Sequence, residues 1–226
     1  MPGRYAELHA LSNFTFLRGA SHPEELVETA AQLGYDALAI TDECSMSGIV
    51  RAHAAAKEFG LRKLIIGSEL RLHSGRKLIV LAQNRRGYAA LCRLITNARR
   101  AADKGLYELA RSDFEEGLPD CLVLWVPDHD FTLDVEDHWI RETFRDRLWI
   151  AVELLADGRQ REQLAKLREE GRRLDLPLVA AGDVHMHCRA RRILQDAVTA
   201  IRYGTTVDNA GFALYPNGER HLRPLD

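Results

Sequence analysis

The sequence predicts an α/β protein folded as a distorted barrel of about seven parallel strands. Short β-rich runs alternate with helical patterns along most of the chain. Several of those runs are continuously apolar, as strands covered on both faces must be. The length, 226 residues, is slightly below the roughly 250 typical of an eight-unit barrel. An open doubly wound sheet is the alternative for the same alternation.

The first strand is expected over residues 5–11. Ser21-His-Pro-Glu24 then reads as a capping box with Pro in the first turn, and Leu26, Val27, Ala30 and Leu33 recur at helical spacing up to Gly34. Further strands are expected at 36–41, 63–72, 77–82, 121–126, 148–154 and 178–181. Helices, each with apolar residues on an i, i+3, i+4 rhythm, are expected at 47–59, 87–102, 135–145, 160–174 and 189–202. Residues 103–119 carry no clear pattern. No repeat or low-complexity tract interrupts the chain before a polar tail at 217–226.

Hydrophobic residues make up 46% of the chain, enough to bury a full core. With 31 Lys and Arg against 33 Asp and Glu, the net charge of −2 gives no general attraction to nucleic acid or an acidic membrane, so any DNA contact must be local. No apolar run approaches the roughly 20 residues needed to span a bilayer, and a cytoplasmic location is expected. Cys44, Cys92, Cys121 and Cys188 form no C-x-x-C pair and read as free thiols rather than a zinc or redox motif.

In a parallel barrel, chemistry sits where strands end on the C-terminal face. His9 follows the first strand, Asp42 and Glu43 the second, Glu69 lies in the third, and Asp183 and His185 follow the last. All are metal-ligating side chains on one expected rim. Residues two apart on an extended chain point to the same side, so Asp183 and His185 can converge on one ion.

Several stretches resemble the polymerase and histidinol phosphatase (PHP) domain family. LHALSNFTFLRG is similar to its L-H-x-H-[TS]-x-[YF]-S-x-L-x-G opening, AITDECSMSGIVRAHAAAKEFGLRKLIIGSEL to its T-D-H…P-I-x-G-x-E block, and LVAAGDVHMH to its closing A-x-x-D-V-H. KLIVLAQNRRGYAALCRLIT resembles a segment of the PHP domains of bacterial C-family polymerase α subunits. ELHALSNFTFLRGASHPEELV, GDVHMHCRARRILQDAVTAIR and NGERHLRP resemble the amino-terminal domain of the error-prone members of that family.

The resemblance implies a PHP-type barrel over residues 1–210, with 211–226 starting a linker toward a polymerase core. It implies damage-tolerant translesion synthesis in DNA repair by the intact parent, alongside damage-response accessory proteins, with DNA reached only through that parent. It also implies a rim holding several zinc, manganese or iron ions. Here the ligand set is partial. His9, Glu69, Asp183 and His185 match ligand positions, and Glu43 stands where a histidine belongs. Leu11 replaces the second histidine of H-x-H, Arg18 a loop acid and Lys77 the histidine of H-L-x-L-L-A; Asp157 is a candidate replacement for another. Leu cannot ligate, and Lys and Arg place fixed positive charge where an ion should sit. The expectation is a degenerate site with no catalytic residues, binding no metal or one zinc or manganese ion weakly, with Arg18 and Lys77 pairing with the remaining carboxylates. The alternative is a metal-dependent phosphoesterase or 3′–5′ exonuclease with a reduced ligand set.

Other features read as structural. PDHDFTLD, residues 127–134, resembles the paired aspartates of a polymerase palm but lacks the third carboxylate and reads as a polar loop. Arg85-Arg86, Arg99-Arg100 and the arginines of 189–192 read as solvated helix faces, and Trp125, Trp139 and Trp149 as core.

Overall fold

Among the described residues, seven strands, neighbours in the sheet in the order they occur in the chain, curl into a nearly closed barrel. The computed structural model describes residues 4–127 and 138–225. The strands are β1 (Ala6–Ala10), β2 (Ala37–Ile40), β3 (Leu64–Arg71), β4 (Lys77–Ala82), β5 (Cys121–Val126), β6 (Leu148–Glu153) and β7 (Leu178–Ala181). The helices among the described residues are α1 (Pro23–Gln32), α2 (Ile49–Glu58), α3 (Arg85–Arg100), α4 (His138–Phe144), α5 (Gln160–Leu174) and α6 (Arg192–Arg202). Residues 103–119 hold only a short 3-10 turn, Arg111–Phe114.

One strand departs from the all-parallel expectation. The β1–β2, β2–β3, β5–β6 and β6–β7 pairs are parallel, whereas β4 runs antiparallel to both β3 and β5. The reason is the connection. Residues 72–76 alone join β3 to β4, with Gly75 at φ +86° and the Leu72 N–H donating to the Arg76 carbonyl at 2.8 Å. A parallel crossover needs about a dozen residues, so so short a link forces a hairpin. The reversal places Lys77, opposite Arg71 in register, at the end of the barrel where the other strands finish.

β1 and β7 do not form a ladder. Closure comes just beyond β7, where Leu11 N–H donates to the Val184 carbonyl at 2.8 Å and Val184 N–H to the His9 carbonyl at 2.9 Å. Strands alone supply the central cluster of Ala39, Ile79, Leu81, Leu124, Val126, Ala151 and Ala181. Outside them, Leu26, Val27, Ala30, Ile49 and Ala52 seat α1 and α2 against Leu38 and Ile40. Trp125 and Trp139 are buried in a third cluster with Leu91, Phe114 and Phe144.

Helix α1 starts one residue later than the capping motif predicts. His22 is the N-cap, its N–H donating to Glu25 Oε2 at 2.8 Å, because Ser21 instead bonds His187 Nδ1 at 2.8 Å across the molecule. The segment beyond residue 210 lies against the barrel: Leu222 is buried, His185 N–H donates to the Arg220 carbonyl at 2.9 Å, and Tyr35 Oη donates to the Arg223 carbonyl at 2.7 Å.

Candidate functional site at the barrel rim

Five strand ends build one buried polar cluster. His9 lies in β1 where the register against β2 slips between Glu7 and Ala10, a bulge of the kind that re-aims a side chain. Glu69 lies near the end of β3, Glu153 ends β6, Glu43 follows β2, and Asp183 and His185 follow β7. Asp183 has φ +45°, a left-handed conformation uncommon for a residue with a side chain.

His9 is the hub. Its Nδ1 lies 2.6 Å from Glu153 Oε1 and 3.6 Å from Asp183 Oδ1, and its Nε2 lies 3.0 Å from Glu69 Oε2. His185 Nε2 is 3.0 Å from Asp183 Oδ1, and its ring meets Tyr215 edge to face at 5.3 Å. One donor atom each from His9, Glu69 and Asp183 fall within 4.8 Å of one another, close enough to share an ion.

Three fixed cations enter the same cluster. Arg18 forks onto Glu69, Nη1 to Oε1 at 2.6 Å and Nη2 to Oε2 at 3.2 Å, and also pairs with Glu43. Lys77 Nζ lies 3.8 Å from Glu153 Oε2. Arg220 pairs with Asp183 and stacks over Tyr215 at 4.3 Å. The protonation equilibria follow. Burial alone would raise the Glu69 and Glu153 carboxyls; Arg18 and His9 hold Glu69 well below its ordinary 4.5, and Lys77 and His9 hold Glu153 at about 2. Burial would lower His9, but Glu153 and Glu69 outweigh it and raise its pKa. Burial, reinforced by Arg18, pushes His185 well below 6.5, leaving it neutral. Four carboxylates, those of Glu43, Glu69, Glu153 and Asp183, therefore face Arg18, Lys77, Arg220 and the His9 ring, whose protonated form they favour.

The family model of the PHP domain matches residues 7–145. The chain belongs to the PHP domain family. An error-prone DNA polymerase of Methylococcus capsulatus is 56% identical over 223 residues, covering 98% of this chain and 21% of the relative. One of Dechloromonas aromatica is 57% identical over 224 residues, covering 97% and 22%. The chain thus spans about a fifth of the length of the curated relatives it matches. Among solved structures, a candidate metal-dependent phosphoesterase of Bifidobacterium adolescentis superposes with a TM-score of 0.59 at 16% identity, covering 81% of this chain and 88% of that one. This likeness shows the fold.

The PHP rim gathers His9, Glu43, Glu69, Asp183 and His185, with Arg18 and Lys77 paired to its carboxylates as expected, but not Asp42 or Asp157. Asp42 lies beside the cluster and serves the opening loop, accepting from Ser12 N–H at 2.8 Å, Ser12 Oγ at 2.7 Å and Thr15 Oγ1 at 2.7 Å. Asp157 stays outside, its Oδ1 accepting from Arg159 N–H at 3.0 Å in a local turn. Glu153, at the end of β6, lies in the cluster against His9 and Lys77 and is not among the sequence candidates, although it too ends a strand. Arg220, within NGERHLRP, and Tyr107, whose Oη donates to Glu43 Oε1 at 2.8 Å, give no sign in the sequence of a place at the rim, because distant segments deliver them. Leu11 is fully buried.

Five of the seven arginines in the basic patches have a partner within the fold. Arg86 pairs with Asp120, Arg99 binds the Glu43 and Cys44 carbonyls, and Arg189, Arg191 and Arg192 pair with Glu219, Glu25 and Asp196. The paired aspartates of PDHDFTLD lie outside the described residues. All four cysteines are free. No helix among the described residues is long and apolar enough to cross a membrane.

Proposed function

We propose that this chain is the PHP portion of an error-prone DNA polymerase and acts there as a non-catalytic structural module, its rim a network of ion pairs in place of a metal cluster. The observation that carries the reading is the seating of Arg18, Lys77 and Arg220 among Glu43, Glu69, Glu153 and Asp183. A multi-ion centre needs anionic or neutral donors free to converge on the ions, and here the carboxylates are already engaged by two guanidinium groups and an ammonium group. The donors do not fit a cluster. The relatives named above are error-prone DNA polymerases, and the reading extends from that name to a parent that carries out translesion synthesis during DNA repair in the bacterial cytoplasm, with the polymerase core and damage-response accessory proteins as partners and DNA bound by the intact parent. On this reading residues beyond 210 lead toward that core.

A second reading, a phosphoesterase or 3′–5′ exonuclease with one zinc or manganese ion, draws on the three donor atoms of His9, Glu69 and Asp183. Loading would require Arg18 and Arg220 to withdraw. Metal analysis of protein purified without chelator, with hydrolysis assays on a generic phosphodiester and on 3′-ended DNA, separates the two readings. The expected result is less than one tightly held ion per chain and no hydrolysis, with Leu11→His plus Lys77→His raising occupancy. Two or more ions, with hydrolysis abolished by His9→Ala, would overturn the structural reading.

A further inference from the structure

Helix α6 turns its bulkiest apolar side chains outward. Its polar Gln195 and Thr199, one turn apart, are each 1% exposed and face the protein beside the small Ala200, with Thr199 Oγ1 donating to the Gln195 carbonyl at 2.8 Å. Its apolar Ile193 and Ile201, two turns apart on another face, are 82% and 62% exposed, with Leu194 beside them. The turns that follow continue the display with Tyr203, Val207 and a fully exposed Phe212. Single exposed apolar residues are ordinary, but a helical stripe of them over a buried face of polar and small side chains is the pattern of a helix whose second neighbour is elsewhere.

We propose that this stripe is the docking surface for the polymerase part of the parent protein, an inference that rests on the functional reading above. The occupant follows from the relatives: about four-fifths of each lies outside the match, so in them a large folded neighbour shares the chain with this domain. Its chemistry follows from the stripe's borders. Arg192 is already paired with Asp196, whereas Arg202 lies over Tyr203 with no carboxylate partner among the described residues. The matching surface is an apolar strip with an acidic edge facing Arg202. Apolar side chains at the middle of such a contact carry most of its energy.

The test places this chain in the Methylococcus capsulatus polymerase in place of the matched fifth. A photo-cross-linker is introduced as Ile201→benzoylphenylalanine, with Arg161→benzoylphenylalanine on the exposed face of α5 as the control. Position 201 should cross-link within the chain to the polymerase part at least about tenfold more than position 161, and Ile193→Glu with Ile201→Glu should lower the chimera's melting temperature. Equal yields at the two positions, or cross-links only between two copies, would overturn the proposal. In the isolated 226-residue chain the double Glu variant should leave the urea midpoint unchanged; a marked loss there would make the stripe core and also overturn it. The two readings fail separately. A chimera that cross-links as expected but holds metal and hydrolyses phosphoesters defeats the scaffold reading alone, whereas a metal-free chimera that extends primers without the cross-link defeats the docking surface alone.

Discussion

Two pairs of buried carboxylates on the same barrel behave oppositely. Glu7 and Asp42 are satisfied by neutral donors: Glu7 by the N–H groups of His9 and Gly182 and by Tyr5 Oη, Asp42 by Ser12 and Thr15. Burial dominates there, and both carboxyls are pushed above their ordinary values. Glu69 and Glu153, also buried, face Arg18, Lys77 and the His9 ring, and both are pulled below theirs. Neutral hydrogen bonds reduce the desolvation penalty of a carboxylate without cancelling it, whereas an adjacent fixed charge reverses its sign. The rim is therefore held together by charge and the opening loop by hydrogen-bond geometry.

Removing a cation from the rim should have the largest effect. Arg18→Ala leaves Glu69, which is 0% exposed, with His9 as its remaining ion-pair partner, and Glu43 with the Tyr107 hydroxyl in place of a cation. A buried pair broken on one side typically loses about 3–5 kcal/mol, and urea unfolding should show a loss of that order. Replacing Arg18 and Glu69 together, by Met and Leu, should recover most of it, since no uncompensated charge remains. A loss under about 1 kcal/mol for Arg18→Ala would show that the rim is solvated and that its ion pairs do not hold it.

Acid should weaken the rim in a defined window. A carboxyl whose pKa falls on folding contributes stability above its unfolded value and loses it as pH drops through the folded one. For Glu153 that window runs from the ordinary 4.5 down to about 2, and the depression corresponds to about 3 kcal/mol at neutral pH. The stability gap between the protein and Glu153→Gln, followed by urea titrations from pH 6 to 2.5, should therefore narrow on acidification. A gap independent of pH would remove the charge argument.

Much of this arrangement is legible in the sequence, for reasons that also mark where legibility ends. The strands are visible because covered strands are continuously apolar, and His9, Glu43, Glu69, Asp183 and His185 fall on one rim because parallel strands finish on one face. The reversal of β4 was readable in the brevity of residues 72–76, a stronger constraint than the apolar pattern that suggests parallel pairing. Arg220 was not readable. It reaches Asp183 only because the polar tail folds back through Asn217, whose Nδ2 donates to the Leu155 carbonyl at 2.6 Å, and Leu222. The spacing of α6 reveals its apolar stripe but not which face meets the barrel, since helical periodicity identifies a face and not its neighbour.

The smallest expected effect offers the sharpest test of the contrast, because it predicts a slope of opposite sign. Asp42→Asn keeps the side chain's shape and one acceptor oxygen, so Ser12 N–H and Thr15 Oγ1 retain a partner while the bond from Ser12 Oγ to Oδ2 is lost. Losing that acceptor should cost about 1–2 kcal/mol at neutral pH, partly offset because the substitution removes a buried charge. Folding raises the Asp42 pKa, chiefly through burial. The folded state therefore holds that proton more tightly than the unfolded chain, and the protein gains stability as pH falls through the folded value toward the ordinary 3.8. The gap between the protein and Asp42→Asn should accordingly widen on acidification, over the same titrations in which the Glu153→Gln gap narrows. Gaps that move in the same direction would mean that the two sets of carboxylates are held by one kind of interaction, and the division between a charged rim and a hydrogen-bonded loop would be lost.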